Sequence, residues 1–379
     1  MPMAEDRPIN THVHLDHEPE LNKFFKAVTK TRASDLHLKV GQVPKMRLGG
    51  ALKSTTGEPL TEKRAEELVF ELLSDTQKEY FLKNGTLEFA HEISDTERFR
   101  INVFRQRGMI SLVARRIESR IPPFESLHLP AIVKELAESQ EGLILVTGPT
   151  GCGKTTTLSS MVDLINRTRS CHIITFEDPI EYLYKDRKAI VSQREIGIDL
   201  TDLDEALYLL ARQDPDVVVI SELHDHRTIS AALKSAESGH LVFGTLNAGS
   251  VIQSVQRLLD LFPQEERNQA RQSFGMAFKA IICQELLPCT KDNIGRIPLV
   301  EVLISNPIAR KVIADRNEGE LSNVIRACKN EGMVDVTESL CQLVNDEYID
   351  VKKAYEYAPN IEELKMALKG IKTTARTIM

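Results

Sequence analysis

The plainest chemistry in this chain lies in one short run. Gly148-Pro149-Thr150-Gly151-Cys152-Gly153-Lys154-Thr155 fits the pattern G-x-x-x-x-G-K-[ST] at every fixed position. An apolar strand-like run, Gly142 to Thr147, precedes it, and an amphipathic helical pattern, Lys154 to Arg167, follows. Glycines at this spacing let backbone N–H groups turn inward around an anionic phosphate. The new helix adds its unpaired amides and the positive end of its dipole. Lys154 is placed to reach β- and γ-phosphates, and the Thr155 hydroxyl is placed to ligate Mg²⁺. The expected ligand is therefore a nucleotide with Mg²⁺, held by Gly148, Pro149, Thr150, Gly151, Cys152, Gly153, Lys154, Thr155 and Thr156.

Hydrolysis demands more: a carboxylate to hold the metal or orient water, and a cation for the charge on the transferring phosphoryl group. Asp216-Val217-Val218-Val219-Ile220-Ser221-Glu222 reads as a buried strand ending in a carboxylate. Glu222 then stands at the carboxyl end of a strand, where ligands bind in open α/β sheets, and is the expected second Mg²⁺ ligand and catalytic group. A further acidic cluster, Glu177, Asp178 and Glu181 around Pro179, follows the run Ile173 to Phe176. Histidines are treated as incidental in two places: His12, His14 and His17 in the polar N-terminal segment, and His224 and His226 beside Glu222. The six cysteines form no C-x-x-C pair, which argues against a disulfide framework or a zinc ribbon and for a cytosolic chain with reduced thiols.

The elements that must position these groups are legible in the patterning. With 379 residues, 42% hydrophobic and 27% charged, the chain has the make-up of an ordinary globular protein of two or three domains. Its net charge of −7 argues against a general nucleic-acid coat. No apolar run approaches a membrane span, and Met1 to Glu20 lacks the apolar segment of a secretory signal. Residues 1–20 read as a flexible tail. From Leu21 a helix with Phe24, Phe25 and Val28 on one face opens a small α+β domain, 21–121, whose strands include Ser34 to Val40, Leu87 to Ile93, Phe99 to Phe104 and Met109 to Ile117. Paired prolines mark a linker at 122–124. Over 125–304, continuous apolar strands alternate with helices, which predicts a mostly parallel sheet covered on both faces. Residues 305–379 carry helical patterning.

Taken in order, these motifs resemble those of the secretion and type IV pilus ATPases, most closely the pilus retraction branch (PilT/PilU type), from about Leu21 to Leu368. The family's aspartate-rich box is similar to Ile173-Ile174-Thr175-Phe176-Glu177-Asp178-Pro179-Ile180-Glu181-Tyr182, and its histidine box to Gly239-His240-Leu241-Val242-Phe243-Gly244-Thr245-Leu246. Gln193-Arg194-Glu195, Asp214-Pro215-Asp216 and Ala33-Ser34-Asp35-Leu36-His37 match further family elements. The resemblance implies that the nucleotide is ATP. It implies RecA-like ATPase domains, each preceded by a PAS-like N-terminal domain, in a homohexameric ring with active sites between subunits. It implies catalytic roles for Glu177, Glu181 and His240, and for Arg100 and Arg115 supplied by a neighbouring small domain, with Arg107 next in line. It also implies a cytoplasmic motor at the face of the inner membrane, working on a pilus platform protein beside a second retraction or extension ATPase.

The chain departs from the family pattern where chemistry is concerned. Asn247 stands where a second histidine is usual, Ser221 where glycine precedes the glutamate, and His224 and Tyr208 replace usual arginines. These changes bear on turnover and on coupling between subunits rather than on nucleotide binding. They motivate a competing expectation: a weakly hydrolysing, nucleotide-binding accessory subunit of a pilus or type II secretion-like machine. A DNA-processing translocase is disfavoured by the acidic balance and the lack of a basic, aromatic-interleaved stripe, so no nucleic-acid partner is expected.

Overall fold

The computed structural model describes residues 18–94, 97–117, 120–200, 203–291 and 293–371; His12, His14 and His17 lie outside them. The chain divides into two compact units, the first 1–120 with segments 178–184 and 194–202, the second the remainder.

In the first unit α1 (Asn22–Thr31) precedes three strands, β1 (Asp35–Lys39), β2 (Lys45–Leu48) and β3 (Ala51–Ser54). Two helices follow, α2 (Glu62–Phe70) and α3 (Asp75–Asn84), and then β4 (Thr86–Ser94), β5 (Glu97–Gln106) and β6 (Met109–Ile117). Thr61 and Ser74 start α2 and α3 by accepting backbone N–H groups that have no partner inside the helix. The sheet order is β3-β2-β1-β6-β5-β4, with every neighbouring pair antiparallel. Alternation splits it into two faces. Leu36, Leu38, Ile101, Val103, Leu112 and Ala114 join Phe25 and Val28 of α1 in the core, and Phe25 stacks on Phe99 with ring centroids 4.6 Å apart. Asp35, Arg100 and Arg115 fall on the opposite face.

The second unit opens with α4 (Ala131–Ala137), β7 (Gly142–Thr147), α5 (Lys154–Thr168), β8 (His172–Glu177) and β9 (Ile190–Glu195, which crosses the unit boundary). It continues through α6 (Leu203–Tyr208), β10 (Val217–Ile220), α7 (His226–Glu237), β11 (Leu241–Leu246), α8 (Val251–Asp260) and α9 (Arg267–Ala277). The strand order is β13-β12-β7-β11-β10-β8-β9, where β12 is Phe278–Pro288 and β13 is Arg296–Ile304. Neighbours from β12 to β8 run parallel, and every residue of β10 and β11 is buried. Since successive side chains point to opposite faces, complete burial means that both faces are covered. One edge departs from the simple alternation: β13 returns antiparallel to β12. Helices α10 (Pro307–Ala314), α11 (Leu321–Ala327), α12 (Val336–Asn345), α13 (Val351–Tyr357) and α14 (Ile361–Leu368) complete the chain. Leu340, Leu343, Ala354 and Leu364 of this region pack against Leu287, Ile297 and Leu299 of the β12–β13 pair. No described helix is long and apolar enough to cross a membrane.

A buried carboxylate ties α8 to the sheet. Glu301 on β13 accepts the Val251 N–H at 2.8 Å, one of the orphan donors at the start of the helix. Burial pushes its carboxyl above the usual range; the Val251 hydrogen bond opposes this, Asp335 adds to it and Arg326 works against it. A raised folded-state value means the stabilising form is the neutral one. That contribution is complete below the unfolded value of about 4.3 and is lost as pH rises through the folded value. Glu301→Gln keeps a side-chain acceptor without the charge. Its urea midpoint should exceed that of the wild type at pH 8 and converge with it near pH 4. A lower midpoint at pH 8 would show that the ionised carboxylate is the favoured partner of α8.

Candidate active site

The phosphate loop turns between β7 and α5, and its glycines have distinct reasons to be there. Gly148, Gly151 and Gly153 adopt φ of 146°, 80° and 90°, which side chains beyond glycine rarely tolerate. At Gly148 space forbids a side chain as well: a Cβ there would lie 2.2 Å from the Gln284 carbonyl oxygen and 2.5 Å from Cys152 Sγ. Pro149, Thr150 and Gly151 are exposed at the tip, Gly153 to Thr156 are half-buried, and Cys152 is buried. Of the expected nucleotide contacts, Cys152 can therefore offer only its main chain.

Parallel register puts the remaining groups along the same edge. Leu246 pairs with Thr147, Gly244 with Ile220, and Ile220 with Phe176, so β7, β11, β10 and β8 all end near one level. Gly148, Asn247, Glu222 and Glu177 occupy or follow those ends. Lys154 Nζ donates to the Gly148 carbonyl at 2.9 Å, the Pro149 carbonyl at 3.1 Å and Asn247 Oδ1 at 2.8 Å. These use the donors an ammonium group possesses. Asn247 Nδ2 in turn donates to Glu222 Oε1 at 2.7 Å. One neutral amide thus joins the loop lysine to the strand-end carboxylate. Glu177 is buried at the end of β8, where its Oε1 accepts from Thr175 Oγ1 at 2.7 Å and Gln193 Nε2 at 2.9 Å. Beside it the Ser221 N–H donates to the Phe176 carbonyl at 2.9 Å, and the Thr245 hydroxyl donates to the Ser221 carbonyl. His224 is exposed, with Nδ1 3.3 Å from the Glu222 carbonyl.

His240 is not brought to this edge. It precedes β11, its carbonyl accepts the Gly142 N–H at 3.0 Å, and its Nδ1 lies 2.9 Å from the Ser235 carbonyl. The whole length of β11, about 20 Å at roughly 3.3 Å per residue, separates it from Asn247. Its expected catalytic role therefore has no geometric support within this chain: a shared box in sequence is two opposite ends of one strand in space. Glu181 is exposed in the segment counted with the first unit. Arg100 and Arg115 sit directly opposite each other in the β5–β6 ladder. Arg100 pairs with Glu88, and Arg115 Nε donates to Asp35 Oδ1 at 2.9 Å. Arg107 holds a left-handed turn position at φ 51°, and Arg98 is buried against Glu195 at 2.5 Å.

Sequence reasoning missed Gln284 of β12, which is 2% exposed. Its Nε2 donates to the Cys152 carbonyl at 2.7 Å and its Oε1 accepts from Thr157 Oγ1 at 2.8 Å. It also missed Ser254, whose hydroxyl donates to Thr147 Oγ1 at 2.9 Å just before the loop. No local spacing signals either contact, since Gln284 stands 132 residues from Cys152. Among the described residues no group of three or more His, Cys, Asp or Glu could hold a metal ion by itself. All six cysteines are free thiols.

Comparison with known proteins places this geometry in a family. The type IV pilus ATPase PilU of Pseudomonas aeruginosa is 34% identical over 350 residues, covering 92% of this chain and 91% of PilU. The type IV pilus retraction ATPase PilT of the same organism is 36% identical over 339 residues, 89% of this chain and 98% of PilT. A crystal structure of the pilus retraction motor PilT with bound ADP superposes with a TM-score of 0.83 at 37% identity, covering 92% of this chain and 99% of that one. The fold is accordingly a RecA-like P-loop domain with a small α+β, PAS-like domain before it and a helical C-terminal region. A family model described as type II/IV secretion system protein matches residues 16–356, and the chain belongs to that family.

Proposed function

We propose that this protein is an ATPase whose hydrolysis of ATP drives type IV pilus retraction, and with it twitching motility. The carrying observation is the alignment of the phosphate loop, Asn247 and Glu222 along one sheet edge, in a chain related over most of its length to PilU and PilT. Loop N–H groups and Lys154 hold the phosphates of ATP; the loop's shape, not the Cys152 side chain, provides the cradle. The Thr155 hydroxyl and the Glu222 carboxylate are hard oxygen donors of the kind Mg²⁺ prefers. The protein donors are too few for a closed cage, which suits an ion that takes its other ligands from phosphate and water. Bound there, Mg²⁺ supplies charge neutralisation on the phosphates. Glu222 orients the attacking water, and Glu177, fixed by Thr175 and Gln193, lines the same edge.

The reading extends to a homohexamer in which Arg100 and Arg115 of one subunit complete the site of the next. Both would exchange their present partners, Glu88 and Asp35, for phosphate oxygens. Location at the cytoplasmic face of the inner membrane, a platform protein as partner and cooperation with a second pilus ATPase belong to the same proposal. A second reading, the weakly hydrolysing accessory subunit, is favoured by Asn247: the amide occupies Glu222 Oε1 and stays neutral at every physiological pH.

Phosphate release by the purified protein tests the first reading. Lys154→Ala should nearly abolish both tight ATP binding and turnover, while Glu222→Gln should keep binding and lose turnover, because an amide cannot serve as a carboxylate toward water or Mg²⁺. Full activity in either variant would refute the assignment. For the arginines, removing Arg100 and Arg115 should cost up to ~10³–10⁵ in rate if they act as arginine fingers. Mixing that double variant with Glu222→Gln subunits should restore part of the activity, since some interfaces then carry an intact site. Rings shown to be mixed yet inactive would place the arginines' role elsewhere.

Asn247 separates the two readings. An imidazolium would make a charge-assisted hydrogen bond to phosphate where the amide makes a neutral one, a difference on the order of 1 kcal/mol. Asn247→His should therefore raise kcat several-fold. A brisk wild type that slows on this substitution would mean the edge is built around the amide, and the accessory reading would lose its main support.

A further inference from the structure

Gln284 touches the phosphate loop from the side opposite its exposed tip, and does so twice. Its backbone carbonyl fills the space where a Gly148 side chain would stand, and its Nε2 lies 3.2 Å from the position of a Cβ on Gly153. The side-chain amide closes a clamp between the loop and the first turn of α5, donating to the Cys152 carbonyl and accepting from Thr157 Oγ1. The orientation of the amide follows from these partners, because a carbonyl can only accept. The strand beneath is fixed as well: Gln284 pairs with Val300 on β13, and the same hairpin is held through Leu287, Ile297 and Leu299 against the C-terminal helices.

The consequence lies in peptide geometry. In a trans peptide the C=O of residue 152 and the N–H of residue 153 lie in one plane and point in opposite directions. A donor that fixes the Cys152 carbonyl toward β12 therefore fixes the Gly153 N–H to point away from β12. Gly153 accepts this at φ 90° because it has no Cβ. We infer that Gln284 is a positioning residue for the nucleotide: through the Cys152 carbonyl it sets the direction of the Gly153 amide that meets phosphate. The inference rests on the reading of residues 148–156 as the ATP site.

The test uses the full chain and a fluorescent adenine nucleotide, with melting temperature recorded alongside. Gln284→Met conserves volume but removes both hydrogen bonds. It should weaken nucleotide binding about ten-fold, the effect of leaving a buried carbonyl without its donor, and raise KM for ATP more than it lowers kcat. Thr157→Val should have a smaller effect that is not additive with Gln284→Met. Gln284→Glu keeps the acceptor for Thr157 and loses the donor for Cys152 while ionised. Its affinity relative to wild type should therefore be poorest at high pH and improve as pH falls, when the carboxylic acid can donate. Should Gln284→Met fail to fold, Gln284→Glu and Thr157→Val carry the same comparison. Unchanged affinity with a lowered melting temperature, or a Gln284→Glu deficit independent of pH, would reduce Gln284 to a packing residue and overturn the inference. Lys154→Ala distinguishes the two levels. Binding that survives Lys154→Ala overturns the site and the inference together. Binding lost there but intact in Gln284→Met overturns the inference alone.

Discussion

The close approach of β12 to the start of the phosphate loop is the constraint on which the rest of the second unit depends. The Gln284 carbonyl stands where any side chain at position 148 would have to be, so β7 can only turn there through glycine. That turn decides where α5 begins, and the start of α5 decides where Lys154 reaches. The anion-binding character of the loop is therefore produced by strand packing as much as by the glycines. A helix N-terminus attracts negative charge wherever it lies. Here it is held against a strand whose far end is anchored in a separate apolar cluster with α12, α13 and α14.

Along the sheet edge, chemistry is arranged by parallel register. Neighbouring parallel strands of similar length end together, so groups that follow them in sequence become neighbours in space. Lys154 and Glu222, opposite charges on distant parts of the chain, meet through Asn247 rather than directly. The amide suits both because it carries an acceptor and a donor on one rigid group. A histidine in place of Asn247 would bring a titratable ring and a different division of donors. The identity of this one residue is thus a choice about charge at the edge.

The first unit manages charge differently. Arg100 and Arg115 face each other across the β5–β6 ladder, an arrangement that like charges disfavour. Each is neutralised locally, by Glu88 and by Asp35. Burial works against ionisation of Asp35, yet hydrogen bonds from Ser34 and Arg115 hold its carboxyl below the usual range. Arg98 is more deeply committed, buried against Glu195. Removing one member of such a pair leaves a charge without compensation, so Arg98 is a structural cation, and the exposed Arg115 is the freer one.

What the sequence by itself determined is what covalent neighbourhood determines. The phosphate loop, with its strand before and helix after, is complete within about thirty residues, and strands such as the one over Phe99 to Phe104 and Met109–Ile117 were legible because side-chain alternation is a local property. Glu222 was legible because a buried apolar strand must end somewhere, and a carboxylate just beyond it falls on an edge. Tertiary structure decided which edge. His240 and Asn247 lie in or beside one box of sequence, yet β11 carries them to opposite ends of the sheet. The antiparallel return of β13 and the clamp made by Gln284 were hidden because both depend on pairing between strands distant in the chain. An amide in an apolar strand has no pattern that announces its partner. Its meaning appears only when register and crossover place it beneath a loop whose carbonyl needs a donor.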